Sequence, residues 1–467
     1  MLIRKPAGIK RWLRHVLGID RAVGFTVMAR GWTIFSGALT VLLIAHFLTP
    51  AEQGYYYTFA SLVALQTVFE LGFSFVILQL AAHESSHLEI RASGEIAGDA
   101  VAHARLASIL KKSVHWYSMA AVLMAVALLV AGFHFFSSHA EHSARVSWKL
   151  PWVCVVIATV FTFQMDPVFS FLEGCGFVPQ VARMRFAQAV CGTTLAWTAL
   201  TLHHGLFAPA GIIFGQALAG AVFLLSRRRL LVPLLRQRSG VDVVGWRNEI
   251  WPFQWRIAVS FLCAYLIFPL FSPVLFAYRG PTEAGRMGMS LTIVNALAAL
   301  AYAWISTKTS PFGSMIARRE YTLLDRVFFR ALAQSGALLL GGEATVLGAL
   351  LAAHRYFPRL AGRMLPIPLF AVLMLAVFLN HMVSSEAAYL RAHKREPFLQ
   401  LAIVTAAMVG LNTFVAGRLW GAAGVTIGYC ICGGILYAIA GTGIFRRCRR
   451  LWHGNGAGTA APLGEVV

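Results

Sequence analysis

Charge is the scarcest commodity in this 467-residue chain. Only 13% of its residues are Asp, Glu, Lys or Arg, and the acids number 19 against 40 basic residues. That composition excludes a string of soluble amphipathic domains joined by polar linkers. A Gly-Lys-Ser/Thr phosphate loop is also missing, so the chain does not hydrolyse ATP by that route. The seven cysteines (Cys154, Cys175, Cys191, Cys263, Cys430, Cys432 and Cys448) fall in apolar runs or beside basic loops. A disulfide framework is therefore not implied, and Cys430 with Cys432 reads as a packing pair in an apolar run.

What the chain has instead is hydrophobic length. Apolar residues make up 58% of it, in successive runs of about 20 residues, the length a helix needs to cross a bilayer. Backbone amides in lipid must be satisfied within the segment, so these runs read as helices. Twelve are expected. In the first half they lie near 24–48, 55–80, 113–137, 149–172, 182–203 and 206–226. In the second half they lie near 251–276, 286–308, 329–353, 366–389, 398–417 and 420–445, the seventh being interrupted by Pro269 and Pro273.

Lys and Arg in the connecting segments set the expected orientation. With both termini cytoplasmic, 30 basic residues lie on the cytoplasmic side and 8 on the other, with Arg30 and Arg256 inside or at the edge of spans. That is the positive-inside pattern. The net charge of +21 then reflects basic loops facing anionic headgroups, and no nucleic-acid partner is needed. In "IKRWLRHVLG", Ile9, Trp12, Leu13, Val16 and Leu17 share one helical face opposite Lys10, Arg11 and Arg14. This reads as an interfacial helix rather than a cleaved signal.

The chain repeats itself. "PAEQG" at 50–54 returns as "PTEAG" at 281–285; "LEGCGFVPQ" at 172–180 is matched by "LRAHKREPF" at 390–398; "GIIFG" at 211–215 is matched by "GVTIG" at 424–428. Each half holds six spans, an even number, so both halves face the same way. The sequence thus predicts an all-α polytopic membrane protein of about 12 transmembrane helices, in two parallel pseudo-symmetric six-helix lobes around a central cavity. The expected segments are a cytoplasmic amphipathic stretch (1–23), an N-lobe (24–226), a basic cytoplasmic linker (227–250), a C-lobe (251–445) and a disordered cytoplasmic tail (446–467).

The landmarks carry a family resemblance. "HFLTPAEQGYYYTFASLVALQTVFELGFS", "WPFQWRIAVS", "GPTEAGRMGMSLTI" and "AYLRAHKREPFLQ" together resemble the polysaccharide-transporter branch of the MOP flippase superfamily, across nearly all the spans. The resemblance implies a flippase for polyprenyl-diphosphate-linked oligosaccharide in the bacterial cytoplasmic membrane, serving O-antigen, capsule or exopolysaccharide assembly. It also implies a partnership with glycan assembly enzymes and no cofactor. The alternative within the superfamily is a cation-coupled multidrug or metabolite antiporter.

Several intramembrane polar residues are candidates for the work. Arg30 and Arg256 stand near corresponding points of the first and seventh spans, and Arg supplies paired donors suited to a diphosphate. Arg30 also matches the cavity arginines of the superfamily's lipid flippases; snorkelling to headgroups is the plainer reading of both. Gln66 and Glu70 share a face of the second span; Asp166 lies deep in the fourth, with Glu173 seven residues on. Gln254 precedes Arg256, and Asn295, Glu343, Asn380, His381 and Glu386 populate spans eight to ten. Such carboxylates either pair structurally or bind the proton or cation that drives transport. His381 titrates in a useful range, although a lone membrane His also serves as a packed hydrogen-bonding group.

One motif argues for an enzyme. "HESSH" at 83–87 satisfies H-E-x-x-H, in which two His hold zinc and Glu acts as base. It falls just past the second span in a polar loop, without a clear third ligand, and reads as coincidence. The first external loop is only six residues, too short for the acids or His of a polyprenyl-linked glycosyltransferase or ligase. The chain is therefore read as a transporter, not an enzyme.

Overall fold

The structure is a computed structural model that describes residues 21–90, 96–139, 146–237, 259, 262, 263, 265, 267–393 and 395–454, with the side chains of 21–27, 30, 34, 90 and 310 excepted. The chain divides into two compact units, Met1–Tyr265 and Leu266–Val467. Within this division, the basic linker and the start of the expected seventh span fall in the first unit.

In the first unit, α1 (Arg21–Phe47) packs on α7 (Val178–Thr201), which packs in turn on α8 (Ala208–Ser226). Two tryptophans tie α1 to α7: Trp32 Nε1 donates to Thr193 Oγ1 at 3.0 Å, and Trp197 Nε1 to Thr40 Oγ1 at 2.8 Å. The polar residues of α7 need not face water. Thr193, Thr194, Thr198 and Thr201 each donate to the carbonyl four residues back, at 2.8–3.0 Å. A threonine satisfied in this way is tolerated in an apolar medium.

The expected second span, 55–80, is not one helix. It is built from α2 (Pro50–Val63), α3 (Gln66–Glu70) and α4 (Phe73–Ser85), with a 44° bend between the parts. Leu71 and Gly72 adopt the left-handed conformation, at φ 52° and 66°. That geometry stops a right-handed helix and restarts it in a new direction. The start of α2 explains the first Pro-x-Glu-x-Gly corner. Thr49 Oγ1 accepts from Glu52 N at 3.2 Å while Thr49 N donates to the Glu52 carboxylate at 2.8 Å, with Pro50 at the first turn. This is a capping box.

A two-stranded interruption follows: β1 (Leu88–Ile90) pairs antiparallel with β2 (Ile96–Gly98), the only strands among the described residues. The expected third span, 113–137, sits inside a longer helix, α5 (Ala100–Ser138), N-capped by Asp99. α5 packs on α6 (Lys149–Gly174) around the buried rings of Tyr55, Phe59, Phe136 and Trp152. α9 (Arg228–Arg236) buries Leu230, Leu231 and Leu234 against α5 and α8.

The second unit opens with a turn over 268–270, where Pro269 withholds an amide, and then α10 (Phe271–Arg279). α11 (Pro281–Ser306), α12 (Thr309–Ala317), α13 (Tyr321–Tyr356) and α14 (Ile367–Ala392) follow. α15 (Leu399–Tyr429) continues through a π-helical stretch, Cys430–Leu436, into α16 (Tyr437–Gly454). A straight helix over Leu399–His453, 55 residues, would be about 80 Å long at 1.5 Å per residue, far beyond a bilayer. Gly421 prevents this. At φ 60°, ψ −142° it adopts a conformation open only to glycine, and the chain turns back. Gly424 then lies against Ala416, and Gly428 against Asn412, so the segments before and after Gly421 run antiparallel and supply two crossings.

Among the described residues, seven helical segments are long and apolar enough to cross a membrane, and eight with the bent α2–α4 run. The molecule is a polytopic, all-α membrane protein.

Candidate functional site

The intramembrane polar groups form two clusters, one in each unit. In the first unit Glu70 is the last residue of α3, immediately before the left-handed Leu71. Asp166 lies on α6 immediately before Pro167, whose missing amide frees the carbonyl four residues back. Both acids thus stand beside an interruption in a helical ladder. Their charges act on one another, and Arg185 on α7 attracts Asp166. Tyr117, fully buried on α5, feels both acids. Its hydroxyl lies 2.8 Å from Ser74 Oγ, and its ring packs on Phe73 and Phe163. Nearby, Gln164 Nε2 donates to Ser118 Oγ at 2.6 Å. Glu173, expected on the same side as Asp166, binds Arg185 Nε at 3.2 Å. Gln66 begins α3 and is half-buried.

The second cluster knits α11, α13 and α14. Ser335 Oγ donates to the Ala301 carbonyl at 2.8 Å and lies 2.6 Å from His381 Nε2. The His381 ring meets Tyr302 edge-on at 6.3 Å, and its carbonyl accepts from Ser385 at 2.8 Å. Glu386, buried on α14, accepts from Thr442 Oγ1 on α16 at 3.1 and 3.2 Å and feels the charge of Arg446. Asn380 Oδ1 accepts from Ser384 at 3.3 Å, and Asn295 is half-buried on α11. Glu343 on α13 is buried, with Oε1 lacking a hydrogen-bond partner among the described residues. An unpartnered buried oxygen is costly to keep, which marks Glu343 for a role beyond packing.

The arginine candidates are less fully placed. Arg30 lies within α1, but its side chain is outside the described residues. Gln254 and Arg256 lie outside the described residues altogether.

The H-E-x-x-H match is spent elsewhere. Glu84, the would-be base, is buried and takes Arg105 Nε at 2.8 Å, and His83, 3.7 Å from the Glu84 carboxylate, is 76% exposed. Among the described residues no group of three or more His, Cys, Asp or Glu is placed to hold a metal ion.

One ionic cluster was not visible in the sequence. Asp325 Oδ2 receives Arg449 Nε and Nη2 at 2.9 and 2.7 Å, while Tyr389 donates to Asp325 Oδ1 at 2.7 Å. His453 lies 3.2 Å from the Tyr389 hydroxyl and stacks on Tyr321 at 4.4 Å. Arg449 sits in a run of arginines that reads as cytoplasmic tail charge, and nothing in the pattern links it to an acid 124 residues away.

Ionisable groups inside apolar helices, two of them beside helix breaks, mark candidate functional positions in this all-α polytopic chain. Comparison with known proteins agrees on the fold. No protein-family model matches the chain, and no curated protein matches it. Solved structures do. A lipid II flippase MurJ in an inward closed conformation superposes with a TM-score of 0.60 at 12% identity, covering 92% of this chain and 90% of that one. An inward-facing multidrug resistance MATE family transporter of the MOP superfamily gives 0.57 at 16% identity, covering 90% and 100%. A MATE transporter in complex with MaD5 gives 0.54 at 16% identity, covering 94% and 98%. The chain has the all-α, twelve-helix fold of these transporters.

Proposed function

We propose that the protein is a flippase that carries polyprenyl-diphosphate-linked oligosaccharide across the bacterial cytoplasmic membrane by alternating access, with both termini cytoplasmic. The observation that carries this reading is Arg30 at the tenth position of the 27-residue apolar helix α1. An arginine inside a membrane helix costs up to about 2.5–3.5 kcal/mol on insertion scales, the most at the helix centre. That cost is offset when the guanidinium meets an anion, and a diphosphate offers oxygens matched to its paired donors. A carrier of cationic drugs would favour a carboxylate there instead. The likeness to a lipid II flippase over 92% of the chain supports the reading through the fold alone.

Glu70 and Asp166 are assigned to energy coupling, because two interacting acids at helix breaks can exchange a proton or hold a cation. Arg256 is assigned to the second diphosphate contact. Glycan polymerases and other assembly enzymes are the expected partners, acting on the flipped product.

The test is a lipid extract from cells depleted of the protein, complemented with wild type or Arg30→Ala. Accumulation of the polyprenyl-diphosphate oligosaccharide in depleted and Arg30→Ala cells is the expected result. An unchanged pool together with new sensitivity to cationic dyes would instead identify a drug antiporter.

A further inference from the structure

The second Pro-x-Glu-x-Gly corner has a use different from the first. Glu283 does not cap its own helix: its carboxylate reaches across 139 residues to accept the amide of Ala422, the first residue after the Gly421 turn. Arg279 completes the clasp by donating to the carbonyls of Arg418 and Leu419, which end the preceding helical segment. Arg286 Nε donates to the Gly362 carbonyl at 3.0 Å, ahead of α14. These bonds leave a pocket of about 360 Å³ lined by Arg279, Glu283, Arg286, Leu365, Trp420 and Ala423. It lies wholly within the second unit.

Two observations show what this pocket suits. The first is charge. Of the 8 Lys and Arg residues that the sequence assigns to the side poor in positive charge, six belong to the segments around the pocket: Arg279, Arg286, Arg355, Arg359, Arg363 and Arg418. Glu283 is the one acid within 271–290, 351–370 and 412–428, and its carboxylate is already committed to Ala422. The second is surface. Trp420 in the lining is 66% exposed, and Tyr278, next to Arg279 in sequence, meets the exposed Phe414 ring at 5.8 Å and has Arg418 stacked over it at 5.6 Å. Exposed tryptophan and tyrosine beside arginine are the signature of headgroup depth in a bilayer. Arg286 lines the pocket, and α11, α14 and the helix after Gly421 all begin at its wall, adding the positive ends of three helix dipoles.

We propose that this pocket binds a phosphate-bearing anion, drawn from the headgroup of a lipid at that face of the membrane. The proposal is independent of the substrate assignment above: the pocket is complete within one unit, and the probes below carry neither a polyprenyl chain nor a sugar.

The experiment uses the full chain in a neutral maltoside detergent, titrated calorimetrically with dihexanoyl-phosphatidylglycerol and, separately, with sodium pyrophosphate. Two variants are compared. Arg286→Gln removes a guanidinium, and Ala423→Glu places a carboxylate in the pocket while removing no hydrogen bond. Saturable binding that each variant weakens about tenfold or more (~1.4 kcal/mol) is expected. Binding of the lipid alone identifies a headgroup site, and equal binding of pyrophosphate identifies a site for the phosphate itself. If Arg286→Gln fails to fold, Ala423→Glu decides. No saturable binding of either probe, or binding that Ala423→Glu leaves unchanged, overturns the proposal.

Discussion

Ser335 and His381 are joined by a bond whose direction is fixed by a third residue. The Ser335 hydroxyl has one proton, and the Ala301 carbonyl, which can only accept, takes it at 2.8 Å. The 2.6 Å contact must therefore be donated by His381 Nε2, which assigns the Nε2–H tautomer. A glutamine amide reproduces a donor at the Nε2 position, whereas asparagine reaches only to Nδ1. His381→Gln should therefore melt close to wild type, and His381→Asn and Ser335→Ala should each lose about 1–3 kcal/mol through unpaired buried polar atoms. Thermal unfolding in detergent checks this, and equal melting of the Gln and Asn variants would show that the bond at Nε2 contributes no stability.

Glu70 and Asp166 are close enough that two negative charges there would repel one another. Neutralising either one removes that repulsion, so Glu70→Gln and Asp166→Asn should each hold or raise stability, by up to about 1 kcal/mol, read from thermal unfolding. The double variant should gain less than the sum, because the interaction can be removed only once. Transport in vesicles driven by an imposed ion gradient should fall in every variant. Full gradient-driven transport by both single variants would end the coupling assignment.

Gly421 holds a backbone conformation that a side chain resists, and a β-carbon there would also strike the Glu283 carboxylate. Gly421→Ala should cost about 1–3 kcal/mol and lower the yield of folded protein. Glu283→Gln keeps an acceptor for the Ala422 amide and loses only the charge at that helix start, a cost of about 0.3–1 kcal/mol. Melting curves of the two variants should separate clearly, with the glycine variant lower.

The contrast between these sites shows how much of the molecule the sequence discloses. Hydrophobic run length places helices well, because the bilayer imposes one length on all of them, and α6, α7, α8 and α14 fall within a few residues of expectation. No proline marks the break at Leu71–Gly72; "FELGFS" reads as continuous apolar helix, and only the left-handed backbone reveals the turn. Both copies of Pro-x-Glu-x-Gly are legible as helix starts, yet the two glutamates act differently. Glu52 finds a threonine before its helix and closes a local capping box, whereas Glu283 follows Gly280, which has no side chain to share, and turns to a distant amide. Tertiary pairings of that kind, and Asp325 with Arg449, leave no local pattern. Among the site residues, chemistry alone singled out Glu70, Asp166, His381 and Glu386, but not Tyr117, Ser74 or Thr442, which are common residues in membrane helices until their partners are known.

His393 supplies a prediction in pH. It lies just beyond the end of α14, where its Nδ1 donates to the Tyr389 carbonyl at 3.2 Å and its ring packs on Trp452 at 4.9 Å. Burial pushes its pKa below the ordinary imidazole value, and the positive charges of His453 and Arg395 act in the same direction. The Tyr389 bond and the Asp325 carboxylate pull the other way without reversing the shift. A histidine depressed in the folded state binds fewer protons there than in the unfolded chain. Its contribution is therefore lost as pH falls through the unfolded value of about 6.5 toward the folded one. The melting temperature of the full chain in detergent should fall between pH 8 and 5.5. His393→Phe keeps a ring against Trp452 and removes the titration, so its fall over the same interval should be smaller. Identical slopes for the two proteins would place the acid sensitivity on other groups.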